Sequence, residues 1–266
     1  MATGGPSNAA AGSGPTGGRP WRPPSLAGLT VAGAGVAVAT PTGPALLEES
    51  DVAWTPCYRI ITETYAGENL YDRITDAAAL DVLADAAALR AAAALTTTAA
   101  LTVAGRLDLV PPGDRVVGPG AGLIMGAFAW FGPASRFSDG SRGVYYAAAA
   151  RRTAIRETAY HTARALAGNP PVVERKALIE ADLRAVLVDV RAPRPAPAGL
   201  YDPLDYAAGQ AFGRGVRAAG ADGIAYDSVR HAGNACAAVF RPPVLSGARV
   251  VEVLEYRWDG ASLWTP

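Results

Sequence analysis

An α+β fold, with a mixed, largely antiparallel β-sheet core flanked by helices, is what this sequence predicts, and three observations carry it. Short β-branched and aromatic runs are interspersed with alanine-rich helical runs, without a regular βαβ repeat. No Gly-rich strand-to-helix turn opens a doubly wound dinucleotide-binding unit. The C-terminal run ARVVEVLEYRWDG, from Ala248 to Gly260, alternates Val250, Glu252, Leu254 and Tyr256 against their neighbours, as a sheet-closing strand does.

The elements follow in order. Met1 to Pro24 is Gly, Pro, Ser, Thr and Ala without periodicity, a linker composition. Leu26 to Pro41 imitates a signal-peptide core, but it starts late, is rich in Gly and Thr, and is too short for the roughly 20 apolar residues of a membrane span. Residues 1–50 are therefore read as a weakly ordered tail, residues 51–266 as one domain, and the protein as cytoplasmic. CYRIIT (Cys57 to Thr62) has strand composition. The run from Asp76 has an N-cap residue and leucines at near-helical spacing. The Pro- and Gly-punctuated stretch VPPGDRVVGPGAGLIMGAFAWFGPAS reads as irregular. GVYYAAA (Gly143 to Ala149) reads as a strand, and Thr153 to Ala167 as a helix ended by GNPP. Asp182 to Val190 is a further strand and Pro203 to Gly220 a helix. GIAYDS and ACAAVFRP are two short strands around the loop VRHAGN.

Charge excludes several function classes. Lys and Arg number 24, as do Asp and Glu, so no global field draws nucleic acid or anionic lipid. Cys57 and Cys236 lack metal-ligand spacing, and with only two histidines in the chain no metal site is expected.

Polar chemistry concentrates between Ser135 and His161. On a helix from Thr153, Glu157 and His161 lie four apart on one face. In the preceding strand Tyr145 and Tyr146 point to opposite faces, one to the core and one toward a cleft. Arg136 sits in a Ser/Gly loop where a guanidinium can grip an anion with two N–H groups. Ser228 and Asn234 lie in a loop between two apolar strands, a common setting for binding residues. Arg59 is a charge inside an apolar strand, costly to bury without a partner. Taken singly, each has a plain structural explanation: a solvated carboxylate, a loop arginine, a core aromatic, a turn serine. Their joint occurrence is what points to a site.

Three ordered motifs carry a resemblance. YRI (Tyr58 to Ile60), SRFSDGSRGVYYAAAARRTAIRE (Ser135 to Glu157) and GADGIAYDSVRHAGNACAAVFRP (Gly220 to Pro242) together resemble the RES-domain toxins of bacterial toxin–antitoxin systems. The arginine–aromatic pair falls on Arg136-Phe137, the tyrosine on Tyr146, T-A-x-x-E on Thr153 to Glu157, and the serine motif on Tyr226-Asp227-Ser228. Asn234 matches a polar position beyond it. The resemblance runs from about Trp54 to the C-terminus. Ala134-Ser135 stand where the family often has Gly-Gly, and the stretch from Asp76 to Gly132 exceeds its shortest members.

The resemblance implies an ADP-ribosyltransferase-like fold and NAD⁺ as substrate, cleaved at the nicotinamide–ribose bond by hydrolysis or phosphorolysis. It implies Glu157 as the stabilising carboxylate, and Arg59 or Arg136 as the pyrophosphate fork. Tyr146, with Tyr58, would pack against the ligand, Ser228 and Asn234 would orient it, and His161 would support Glu157 or act on the acceptor. It further implies a helix-turn-helix, Xre-like antitoxin partner in a hetero-oligomer or dimer. Two rival expectations are an ADP-ribosyltransferase that modifies a specific host protein and a non-catalytic NAD-binding module.

Overall fold

The computed structural model describes residues 1, 35–40, 43–67, 70–74, 76, 107–130, 132–194 and 196–266. The helix expected from Asp76 lies outside the described residues beyond Asp76 itself. Eight strands form one sheet, in the order β1-β2-β3-β6-β5-β4-β7-β8, with a further pairing of β2 to β4. They are β1 (Gly35–Thr40), β2 (Gly43–Thr62), β3 (Tyr145–Ala148), β4 (Val172–Asp189), β5 (Gly223–Asp227), β6 (Ala235–Val239), β7 (Leu245–Trp258) and β8 (Leu263–Trp264). Four described α-helices accompany them: α1 (Leu70–Arg73), α2 (Ala121–Met125), α3 (Arg151–Leu166) and α4 (Ala207–Ala218). This is the mixed α+β architecture expected.

Long-range pairing lengthens the strands beyond their local signals. β2 runs antiparallel to β4 from Glu49↔Val188 to Thr62↔Lys176, interrupted between Trp54 and Cys57. Pro56 falls in that gap, where it has no N–H to give the ladder. β4 in turn pairs antiparallel with β7 and parallel with β5. That parallel pair is joined through α4, so among the described residues a βαβ crossover is set within an otherwise antiparallel sheet. β5 and β6 form a hairpin, β6 pairs β3, and β3 meets β2 at Tyr58↔Ala148. The pairings therefore close on themselves through β2, β3, β6, β5 and β4. Ordered strand begins at Gly35, ahead of the Asp51 expected from composition, because β1 and the start of β2 pair from Gly35↔Glu48 to Thr40↔Gly43.

Side chains alternate between two cores, as period two requires. Tyr145, Ala147, Ala225, Ala237 and Val239 join one, with Cys57, Ile179 and the 107–129 segment, including α2. Ala148, Ile224, Tyr226, Cys236 and Ala238 join the other, with Phe137 and with Phe212 and Val216 of α4. α3 is seated by Ile155, which packs with Leu178, Leu254 and Tyr256 of β4 and β7. The second face carries the candidate site.

Candidate functional site

α3 and the β5–β6 loop meet edge to edge. Ala154 and Ile155 bury one stripe of α3, and this turns Glu157, half-buried, toward the loop that follows β5. Ser228 closes that strand and is 6% exposed. Its Oγ accepts the backbone N–H groups of His231 at 2.9 Å and Arg230 at 3.2 Å. With those lone pairs engaged, the hydroxyl proton points away from the turn, and it is donated to Glu157 Oε1 at 2.6 Å. Asn234 completes the turn through its backbone: its carbonyl accepts Ser228 N–H at 2.8 Å. Its side chain turns back on its own loop, Nδ2 donating to Ala232 O at 3.1 Å.

Arg136 reaches the same face from the loop before β3. It is 9% exposed, and Nη1 donates to the carbonyls of Leu200 at 2.8 Å and Asp202 at 2.9 Å. The guanidinium lies 4.8 Å from the Tyr206 ring centre. No carboxylate among the described residues pairs with it, and Nε and Nη2 bond to none of them, so one edge of the fork remains for a ligand. Tyr146 fixes this loop. Its hydroxyl accepts Phe137 N–H at 2.9 Å and bonds Ser135 Oγ at 2.8 Å. Burial raises the Tyr146 pKa, with those two hydrogen bonds opposing. The Tyr146 hydroxyl is thus committed to holding the Arg136 loop. α4 presses on the same loop: a Cβ at Gly209 would stand 2.3 Å from Arg136 O, and one at Gly213 2.4 Å from Phe137 O.

The other expected residues fall differently. His161 is exposed, and its ring meets Tyr160 edge-on at 5.2 Å. It makes no hydrogen bond to Glu157. Partial desolvation pulls its pKa down; the Glu157 charge opposes this, while Arg230, Arg164 and Arg136 add to it. Tyr58 is half-buried and packs beneath α3, touching both the second core and the Ile155 cluster. Arg59 stands on the opposite side of the sheet, because strand alternation puts it with Cys57 rather than Tyr58. Its guanidinium lies 4.5 Å from the Tyr145 ring centre, and Nη1 donates to Tyr146 O at 3.4 Å. Its Nε is buried without a partner, as is the Tyr145 hydroxyl. Burial lowers the Arg59 pKa, with Tyr145 opposing most strongly. No hydrogen bond or ion pair among the described residues joins Arg59 to Glu157. The guanidinium that shares a face with this carboxylate is Arg136.

Several neighbours carried no signal strong enough to single out from sequence. Arg230 lies over the Tyr160 ring, 3.3 Å from its centre, and donates to Pro203 O. Arg164 donates to Tyr160 Oη at 3.1 Å. Neither pairs with a carboxylate among the described residues. With Arg136 they are the guanidinium groups whose charge reaches His161, one turn along α3 from Glu157, and this local excess of positive charge suits a ligand bearing several negative charges. Nucleophilic cysteine chemistry has no support, since burial raises the Cys57 thiol to about 12 and pushes Cys236 up as well. No group of His, Cys, Asp and Glu among the described residues is arranged to hold a metal ion.

Comparison with known proteins agrees with the sequence motifs. A family model described as "RES domain" matches residues 114–259. That span takes in Arg136, Tyr146, Glu157, His161, Ser228 and Asn234, and leaves Tyr58 and Arg59 outside it. Among solved structures, the chain is similar to a chain of the M. tuberculosis MbcT–MbcA toxin–antitoxin complex. The two share 11% identity over 78% of this chain and 86% of that chain, with a TM-score of 0.41. No curated protein matches the chain.

Proposed function

The chain belongs to the RES-domain family, and from that premise we propose that it is a toxin that consumes NAD⁺ by breaking the nicotinamide–ribose bond. The observation that carries this reading is the 2.6 Å contact between Ser228 Oγ and Glu157 Oε1, made on the face of the sheet that also carries Arg136, an arginine with no carboxylate partner among the described residues. Bond cleavage sends the shared electron pair to the nicotinamide nitrogen and leaves an oxocarbenium-like ribose. A carboxylate held on the side where that charge grows lowers the barrier electrostatically. Glu157 is the group in this site with that capacity, and Ser228 orients it.

Arg136, rather than Arg59, takes the pyrophosphate. Its Nη1 anchors the guanidinium to two carbonyls, so the remaining edge is already oriented when ligand arrives. Arg230 and Arg164 add attraction for the same anion. His161, pulled toward its neutral form by its surroundings, lies one helical turn beyond Glu157 on α3 and is assigned to the acceptor's side.

Such an activity needs restraint within its own cell. The reading therefore includes a helix-turn-helix antitoxin that blocks the cleft, a hetero-oligomeric complex, and a cytoplasmic setting where NAD⁺ is abundant. Incubating the purified protein with NAD⁺, with and without phosphate, and identifying products by mass spectrometry tests the proposal. Free nicotinamide is expected in every case. Its partner product names the acceptor: ADP-ribose for water, a phosphorylated ADP-ribose for phosphate, an adduct for a protein side chain. Unchanged NAD⁺ with folded protein overturns the reading.

A further inference from the structure

Glu157 and Ser228 are one rung of a two-rung ladder. The second rung lies one helical turn earlier, where Thr153 Oγ1 meets His231 Nδ1 at 2.9 Å. Thr153 and Glu157 are four apart on α3 and share a face; Ser228 and His231 are three apart across the turn they close. The rungs are also tied on the loop side, because the His231 backbone N–H donates to Ser228 Oγ at 2.9 Å.

We infer that His231 is a positioning residue, which holds the Ser228 turn against α3 and so aims the Glu157 carboxylate. Thr153 is 0% exposed, and a buried hydroxyl has to donate somewhere. Its backbone N–H is spent on Ala150 O, and no partner other than His231 Nδ1 is found for its hydroxyl among the described residues. The hydroxyl therefore donates, Nδ1 accepts, and the imidazole proton sits on Nε2. Removing the imidazole leaves Thr153 without its acceptor and the serine turn fastened to α3 by one rung instead of two. The turn then wanders, and Ser228 no longer fixes one orientation of Glu157. This inference rests on Glu157 being the stabilising carboxylate of the proposed reaction.

The test combines kinetics with a measurement that needs no turnover. Support acting through a neighbouring group is commonly worth about 10- to 100-fold, so His231→Ala should lower kcat by about tenfold or more while KM moves less than about twofold. His231→Asn keeps an acceptor near the Nδ1 position and should recover most of the loss. Thr153→Val combined with His231→Ala should cost no more than the worse single change, since both break one contact. An unchanged kcat in His231→Ala, or no recovery in His231→Asn, overturns the inference. Nitrogen-15 spectra of the folded protein should show His231 in the Nε2–H form, becoming a mixture of tautomers in Thr153→Val. A tautomer indifferent to that substitution overturns the ladder. If the wild-type protein leaves NAD⁺ intact, the proposed activity falls, and these spectra still decide whether the ladder exists.

Discussion

Ser228 Oγ donates to Glu157 Oε1 at 2.6 Å across a sequence separation of 71 residues. The bond joins the end of β5 to the second turn of α3. Two backbone N–H groups donate to Ser228 Oγ and leave outward donation as the course for its proton. Ser228→Ala should therefore do more than remove one hydroxyl. It frees the N–H groups of Arg230 and His231 and releases the carboxylate. Nicotinamide release should slow by about 10²-fold, the scale of a lost charge-stabilising contact, while affinity for NAD⁺ changes little. Steady-state kinetics check this; an equal rise in KM with unchanged kcat would mean that Ser228 binds substrate rather than orients Glu157.

Arg136 cannot be replaced by lysine. A single ammonium cannot both satisfy the carbonyls of Leu200 and Asp202 and present a second edge to an anion. Arg136→Lys should abolish the rise in thermal midpoint that NAD⁺ produces in the wild-type protein. Thermal unfolding with and without NAD⁺ reads this directly, and a ligand-induced shift equal to wild type would place the pyrophosphate elsewhere.

Gly209 is required by distance. A Cβ there would meet Arg136 O at 2.3 Å, and the obstacle is backbone, which cannot swing aside. Gly209→Ala should push α4 off the Arg136 loop at a cost of about 1–3 kcal/mol, as other overpacked contacts do. It should weaken NAD⁺ binding through the same displacement. Denaturant unfolding measures the first effect and ligand titration the second.

His161 reports on its neighbours. Its pKa lies below the usual histidine value, and the Glu157 charge is the cause that opposes the fall. Glu157→Gln removes that opposition and should lower the midpoint further, whereas Arg230→Ala should raise it. Proton NMR titration of the ring checks both signs. The linkage has one direction. The unfolded chain takes up this proton first as pH falls, so His161 subtracts stability from its unfolded value near 6.5 downward and has no effect above it. Stability measured on either side of that window should show the loss at the acid end, and the loss should shrink in His161→Asn.

Much of this molecule was legible in its sequence, and the remainder was hidden for identifiable reasons. The run at Cys57 to Thr62 falls within β2, and the run at Gly143 to Ala149 contains the shorter β3; the helix from Thr153 is α3, begun slightly earlier. β4 extends well upstream of Asp182, because pairing to β2 and β7 stabilises residues such as Glu174 and Lys176, whose local preferences say little. α2 went unread because AGLIM sits among glycines that signal irregularity, and its burial against the first core supplies what propensity does not. Glu157, Arg136 and Ser228 stood out by motif, but their mutual distance is tertiary. Period two already separated Arg59 from Tyr58; what composition could not show is which face held the carboxylate. Thr153 opened the T-A-x-x-E motif with no role attached to it and His231 looked ordinary, since a threonine in a first helical turn and a histidine in a Gly-rich loop acquire meaning only when the two elements meet.

The most direct test of the account is Glu157→Gln incubated with NAD⁺ beside the wild-type protein, with free nicotinamide quantified over time. Glutamine keeps the size and the hydrogen-bond acceptor for Ser228 but removes the charge. The account predicts steady nicotinamide release by the wild type and a rate lower by about 10²-fold or more in the variant, with the NAD⁺-induced thermal shift retained. Equal rates in the two proteins would contradict it.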